Sequence, residues 1–265
     1  VVDKRVRVLR IDRASGAPLA VLFHYSCHPT TKNGSDGSIS PDYPGLARTQ
    51  IEKEMGCRAA FLPGCFGNIR PNIVDADGNF ASATVDQLRA VANELADAVI
   101  SATRFTKAEA DDRLQAAETE IFVPFGPMLG AGEVEKISKE VNRPLRADWG
   151  KRHLQMAREG LSAKGEASIM QAMRIGPMEL IGIPGEPAQE FGYEIERLTG
   201  RQPIDVWPVG YANDQLGYLC TPRMYVEGGY EPTAYIVYDR PAPYRDEQRI
   251  IVKHAADLAR AISET

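Results

Sequence analysis

Apolar residues recur along this chain with two periods. Alternating or short continuous apolar runs predict strands over residues 6–12, 19–25, 59–62, 117–125, 168–175, 178–183 and 205–209. Three- and four-residue spacing predicts helices over 45–55, 85–105, 133–140, 149–161, 188–198 and 245–262. The clearest is 85–105, where Leu88, Val91, Ala92, Leu95, Val99 and Ala102 form one stripe. That stripe reads as core packing, not as a cofactor contact. Pro44 opens the first helix and Gly56 ends it. The helices at 133–140 and 149–161 are rich in charge. They read as an exposed excursion or lid over the sheet, with His153 a solvated surface residue. The last helix is apolar at Ile250, Ile251, Leu258 and Ile262, which sets His254 at a core edge.

Punctuation between these elements predicts connections. Arg13-Ala14-Ser15-Gly16 is a turn between the first two strands, so they form a hairpin, and Gly176-Pro177 joins two later strands. Helices otherwise alternate with strands. The fold class expected is α/β, a mixed, mostly parallel sheet flanked by helices, with active-site loops at the strand carboxyl ends. The chain carries no internal repeat, low-complexity tract or linker, so residues 1–265 read as a single domain.

Composition narrows the classes. A hydrophobic fraction of 43% and a charged fraction of 25% are ordinary for a globular domain, and a net charge of −5 argues against a general nucleic-acid binder. No apolar run approaches the roughly 20 residues that span a bilayer. No signal peptide is evident, and VVDKRVRVLRID reads as a strand begun in mid-protein, so a longer precursor with an upstream segment is expected. The four cysteines form no C-x-x-C pair, which excludes a zinc finger or thioredoxin motif; their spacing leaves disulfide pairing open.

The candidate chemistry gathers at strand ends. Pro29 cannot donate to a ladder, so the strand over 19–25 stops by His28 and leaves an imidazole beside a loop rich in Gly, Ser, Asn and Asp. Three other strand ends carry polar loops: Asn68 to Asn72, Glu186, and Asn213 to Tyr218. In a wound sheet such ends meet in one crevice. An imidazole, a carboxylate and a tyrosine suit a divalent cation such as zinc. His24 is rejected as a partner of His28: four residues of strand separate them by about 13 Å, at about 3.3 Å per residue.

Four segments in order, FHYSCHPTT (23–31), FLPGCFGNIRPN (61–72), IPGEP (183–187) and YANDQLGYLCTP (211–222), resemble the N-terminal zinc-hydrolase domain of the neutral/alkaline non-lysosomal ceramidase family, in its uncharacterised bacterial branch. The resemblance implies one zinc held by His28, Glu186 and Tyr218, and hydrolysis of an N-acyl amide in lipid metabolism. It also implies a lipid-like or small-molecule substrate, and a secreted or periplasmic location. Arg70, Asn68 and Asp42 are the candidate catalytic groups, and Asn72, Tyr211 and Asn213 the candidate substrate contacts. Two features depart from the family. The chain contains no H-x-H segment, which in the family supplies a further zinc ligand from upstream. Gly67-Asn68-Ile69-Arg70-Pro71-Asn72 stands where ceramidases read Gly-Asp-Val-Ser-Pro-Asn, so Arg70 replaces the family's catalytic serine.

The expected function is therefore a zinc-dependent hydrolase of an amide or ester bond, acting on a linear amide. The alternatives are a non-catalytic relative that binds an anion in the same crevice, or a fragment lacking one zinc ligand. Arg70 has two readings: it clamps an anion, or it bridges Asp42 or Glu186 and holds the loops together.

Overall fold

The structure, a computed structural model, describes residues 2–32, 37, 39–105 and 111–263. Part of the polar loop that follows His28 (33–36 and 38) lies outside those residues. Arg7–Asp12 (β1) and Pro18–Tyr25 (β2) form the expected antiparallel hairpin. Arg58–Pro63 (β3) runs parallel to β2 on its other side, with Tyr25 level with Pro63. The crossover between them is Asp42–Met55 (α1), which ends at Gly56 in a left-handed conformation of φ 63°.

Val85–Thr103 (α2) starts on a reciprocal cap: Thr84 accepts from the Gln87 amide while the Gln87 side chain accepts from the Thr84 amide. Its stripe of Leu88, Ala92, Leu95 and Val99 is buried against Val21 and Phe23 of β2 and Tyr43, Ala47 and Ile51 of α1. One core therefore serves this half of the chain.

The second half is built on Leu114–Pro124 (β4), Gly165–Ile175 (β5), Met178–Gly182 (β6) and Val206–Val209 (β8), in the order β4-β5-β6-β8. The two-residue strands Glu186–Pro187 (β7) and Tyr218–Leu219 (β9) form a separate parallel pair. Gln189–Thr199 (α5) leads from β7 to β8, and Glu247–Ala261 (α7) packs beside it. Phe191 and Ile195 of α5, Ile251, Ala255 and Leu258 of α7, and Ile121, Val123, Met170 and Ile181 of the strands share the second core. His254 lies half-buried at the edge of α7, as its position in the stripe predicts.

Three expectations need correction. The architecture is mixed α/β, but its sheets are not mostly parallel: β4 and β5 pair antiparallel along all 11 residues of β4, and β5 turns directly into β6. The turn at Gly176-Pro177 is too short for a crossover, so it dictates a hairpin. The parallel pairs β2–β3 and β6–β8 arise where a helix, α1 or α5, intervenes.

Ala131–Ser138 (α3) and Pro144–Arg158 (α4) are not simply exposed. Val134, Ile137 and Trp149 close on Ile236 of the 3₁₀ helix Glu231–Ile236 to make a small core of their own. Trp149 donates from its indole to the Arg240 carbonyl at 2.7 Å. His153 is not solvated: its ring stacks on Trp149 with centroids 4.9 Å apart, and its Nδ1 meets the Trp149 carbonyl at 3.0 Å. A one-turn spacing on the helix brings the two rings together. All four cysteines are free thiols.

A buried polar network ties β1 and β2 to α5 and β8. Arg7, 1% exposed, bridges Glu196 at 2.5 Å, donates to the Pro203 carbonyl at 3.0 Å and meets His24 Nδ1 at 3.1 Å. Arg5 adds ion pairs to Asp3 and Glu196. With Arg7 donating to Nδ1, the His24 ring is neutral, and its Nε2–H donates to the Pro208 carbonyl at 2.9 Å. Both nitrogens are thus engaged away from His28. Burial and the Arg7 charge push His24 down to about 3.

Unfolded His24 gains a proton near pH 6.5 while the folded ring stays neutral to about 3, so folding stability rises with pH in that window. On acidification His24 contributes a loss of about 1.4 kcal/mol per pH unit below about 6. Denaturant titrations of wild type and His24→Gln from pH 7 to 4 should show a shallower acid limb in the variant by about one proton. Parallel limbs would mean that the ring titrates normally. The buried α2 stripe gives a second expectation: Leu95→Ala should cost about 2–5 kcal/mol through the cavity it leaves, read as a lower denaturant midpoint.

Candidate active site

Backbone hydrogen bonds stitch four strand ends together. Past β3, Gly64 donates to the Tyr25 carbonyl at 3.1 Å and Gly67 to the Pro187 carbonyl at 2.8 Å. His28 donates to the Ile69 carbonyl at 2.9 Å, which fixes the imidazole beside the same loop. Past β8, Gly210 donates to Pro63 and Tyr211 to Gly185, each at 2.9 Å. The β7–β9 ladder then sets Glu186 level with Tyr218, and residues paired in parallel strands present their side chains to the same face.

The result is a convergent trio. His28 Nε2 lies 3.6 Å from Glu186 Oε2 and 3.5 Å from the Tyr218 hydroxyl. It also faces the Gly67 carbonyl at 3.3 Å. Glu186 and His28 are buried, at 4% and 9% exposure. The other carboxylate oxygen of Glu186 accepts from the Tyr238 hydroxyl and, at 3.5 Å, from Gln215 Nε2. Aromatic rings wall the trio: Phe66 lies 4.5 Å from the His28 ring, and Tyr230 meets Tyr218 edge-on at 5.8 Å.

Electrostatics follow from this burial. Desolvation holds the His28 imidazole below its usual range, against the opposing pull of Glu186, so the ring is neutral at pH 7. Burial, reinforced by the Glu186 carboxylate, pushes the phenols of Tyr211, Tyr218 and Tyr238 up, so they remain proton donors. Among the described residues no three His, Cys, Asp or Glu side chains gather as a metal-binding group, and the third member of this trio is a tyrosine.

Not every expected residue joins the trio. Asp42 is buried at the start of α1, where its carboxylate accepts from Thr31 Oγ1 at 2.6 Å and from the Thr31, Lys32 and Tyr43 amides. It builds a loop and is not available as a catalytic acid or base. Asn68 is likewise spent: its carbonyl caps the Gln189 amide at 2.8 Å and its amide donates to Glu190 at 2.9 Å, fixing the start of α5. Asn72 is exposed, and Asn213 is exposed and donates to the Ile169 carbonyl at 3.3 Å. Tyr211 does reach the site, its ring 5.5 Å from Phe66. Arg70 stands exposed with its guanidinium over the Phe80 ring, 4.2 Å from the centroid, and pairs with neither Asp42 nor Glu186.

Tyr238, Gln215, Tyr230 and Phe66 were not foreseen. Seven of the ten tyrosines fall between Tyr211 and Tyr244, and that density was the available signal.

In comparisons with known proteins, no family model matches the chain. A neutral ceramidase of Mycobacterium tuberculosis is 26% identical over 292 residues, covering 87% of this chain and 45% of the relative. The crystal structure of neutral ceramidase from Pseudomonas aeruginosa superposes with a TM-score of 0.69 at 20% identity, covering 99% of this chain and 47% of that one. A ceramidase complexed with C2 gives 0.71 at 19% identity, over 99% and 48%. The chain spans just under half the length of these relatives, and the likeness to the solved structures is one of fold.

Gly67 makes a close backbone approach in the seam. A β-carbon there would lie 2.5 Å from the Glu186 carbonyl oxygen and 3.0 Å from the Pro187 carbonyl. These are backbone atoms and cannot swing aside. Gly67→Ala should therefore lift the 64–72 loop off β7, at a cost of about 1–3 kcal/mol. A melting curve unchanged from wild type would show that the seam accommodates the methyl.

Proposed function

On the premise that this chain is related to the neutral ceramidase family, in sequence and in fold, we propose that it is a zinc-dependent hydrolase of a linear amide bond, with His28, Glu186 and Tyr218 as metal ligands. The convergence of these three side chains from the loop after β2, from β7 and from β9 is the observation that carries the reading. Their spacing fits the ion. A tetrahedral site with bonds of about 2.1 Å has ligand-to-ligand edges of about 3.4 Å. The separations here are 3.5 and 3.6 Å.

The donor set fits as well. His28 is neutral and turns Nε2 to the centre, and Glu186 has one oxygen held by Tyr238 and Gln215 while the other faces His28. When bound, zinc supplies Lewis acidity toward an amide carbonyl. The chain's own groups do the rest. Tyr238 and Gln215 orient Glu186, so the carboxylate presents one oxygen and does not rotate. Tyr211, a protonated phenol at the rim, is placed to donate toward a departing amine or a carbonyl. Tyr211 and Tyr230, both exposed beside the trio, supply aromatic faces suited to an acyl chain, with Phe66 buried behind Tyr211.

Metal analysis and hydrolysis of a short-chain N-acyl amide by the purified protein test this together. Wild type should hold one zinc per chain and release acid, while His28→Ala and Glu186→Gln should lose both. Tyr238→Phe should weaken zinc binding by about 10- to 100-fold through the loosened Glu186. Full zinc occupancy in the double variant His28→Ala/Glu186→Gln would place the metal elsewhere. A protein without zinc that still bound carboxylates would instead be a non-catalytic binder, the reading that the exposed Arg70 favours.

A further inference from the structure

Building on the His28–Glu186–Tyr218 cluster as an amide-hydrolysing centre, we propose that Arg70 selects substrates bearing a free carboxylate, of the N-acyl amino acid class. Arg70 directly follows Ile69, whose carbonyl accepts the His28 backbone amide at 2.9 Å, so its backbone is anchored at the lip of the site. Its side chain is exposed and its guanidinium lies 4.2 Å from the centroid of Phe80. Phe80 is itself held by an antiparallel bridge to Val74. A ring face fixes a guanidinium while leaving its in-plane N–H groups available, unlike an ion pair, which would consume them.

Among the described residues no acid lies in ion-pair contact with Arg70. Asp42 and Glu186, the two acids the sequence offers as bridges to Arg70, are committed elsewhere: Asp42 to three backbone amides and the Thr31 hydroxyl, Glu186 to Tyr238 and Gln215. The arrangement is a cation seated on a ring face, with no ion-pair partner among the described residues, one residue along the chain from the carbonyl that anchors the His28 amide.

A carboxylate matches it better than a phosphate. One planar fork satisfies one carboxylate bidentately. A phosphate carries a second negative charge that a single guanidinium leaves unpaired. A neutral lipid amide would leave the fork without a partner.

The test separates this inference from the activity it rests on. Binding of N-hexanoylglycine and of its neutral counterpart N-hexanoylglycinamide to the zinc-loaded protein is measured by calorimetry, and hydrolysis of each is followed in parallel. Wild type should bind the carboxylate about 10- to 100-fold more tightly, the range for hydrogen bonds to a charged group. Arg70→Met should erase that preference with an unchanged melting temperature, and Arg70→Lys should restore part of it. Equal affinities in wild type, no binding of either compound, or a preference that survives Arg70→Met would overturn the assignment. Hydrolysis of neither compound, with the binding preference intact, would fault the catalytic reading and leave the role of Arg70 standing.

Discussion

The geometry of this protein hangs on a ladder two residues long. β7 and β9 pair only Glu186 with Tyr218 and Pro187 with Leu219, yet that register sets a carboxylate and a phenol side by side. A slip of one residue would put one of them on the opposite face. So short a pair has little stability of its own. It is held by neighbours: the Glu186 amide donates to Gly217 at 2.8 Å, the Ala188 amide to Leu219 at 3.0 Å, and the 64–72 loop hooks onto Pro187 from the other side. Gly217, at φ 82°, lets the chain pass under Tyr238, whose ring would lie 2.8 Å from any β-carbon there. The same approach brings the Tyr238 hydroxyl onto Glu186.

Two histidines four residues apart show how that scaffold divides labour. His24 is inside β2 and is locked neutral between Arg7 and the Pro208 carbonyl, where it joins the two halves of the chain. His28 is past the strand end, beyond Pro-terminated pairing, and its Nε2 looks into the crevice. Burial lowers both, but different partners decide the outcome. Beside His24 stands a cation that reinforces desolvation, while beside His28 stands a carboxylate that opposes it. A ring that keeps a carboxylate at hand and stays neutral can serve as a ligand; one clamped at both nitrogens cannot.

The strand ends that carry the trio were legible because Pro29 and the Pro184-Gly185-Glu186-Pro187 turn each end an apolar run, while the choice of His28, Glu186 and Tyr218 among their residues came from the family resemblance. Local pattern says where a strand stops. It does not say what a loop side chain will bond. Asp42 and Asn68 look alike in sequence to catalytic polar groups, but unsatisfied amides at the starts of α1 and α5 claim them first. Trp149 and His153 read as surface because their helix is charged, yet a 3₁₀ segment some 80 residues later covers them. The sheet's antiparallel bias was missed for a similar reason. Alternation marks a strand without telling its partner's direction, and only the tight turn at Gly176-Pro177 carried that information.

What remains after those structural claims are subtracted is a small set of polar groups with no building role. Tyr238 and Gln215 serve Glu186, and Tyr211 stands at the rim. Arg70 is the member with no ion-pair partner among the described residues. The crevice thus has two poles. Its floor holds one carboxylate among phenols and a neutral imidazole, an environment that draws a cation. Its lip holds a guanidinium resting on an aromatic face. Among the described residues no acid is in ion-pair contact with Arg70, and Glu186 is already bonded to Tyr238 and Gln215. The Phe80 stack and the Tyr238 hydrogen bond to Glu186 keep the two poles apart. A molecule with a polarisable carbonyl at one end and a negative charge at the other would satisfy both poles at once, and no described residue does so.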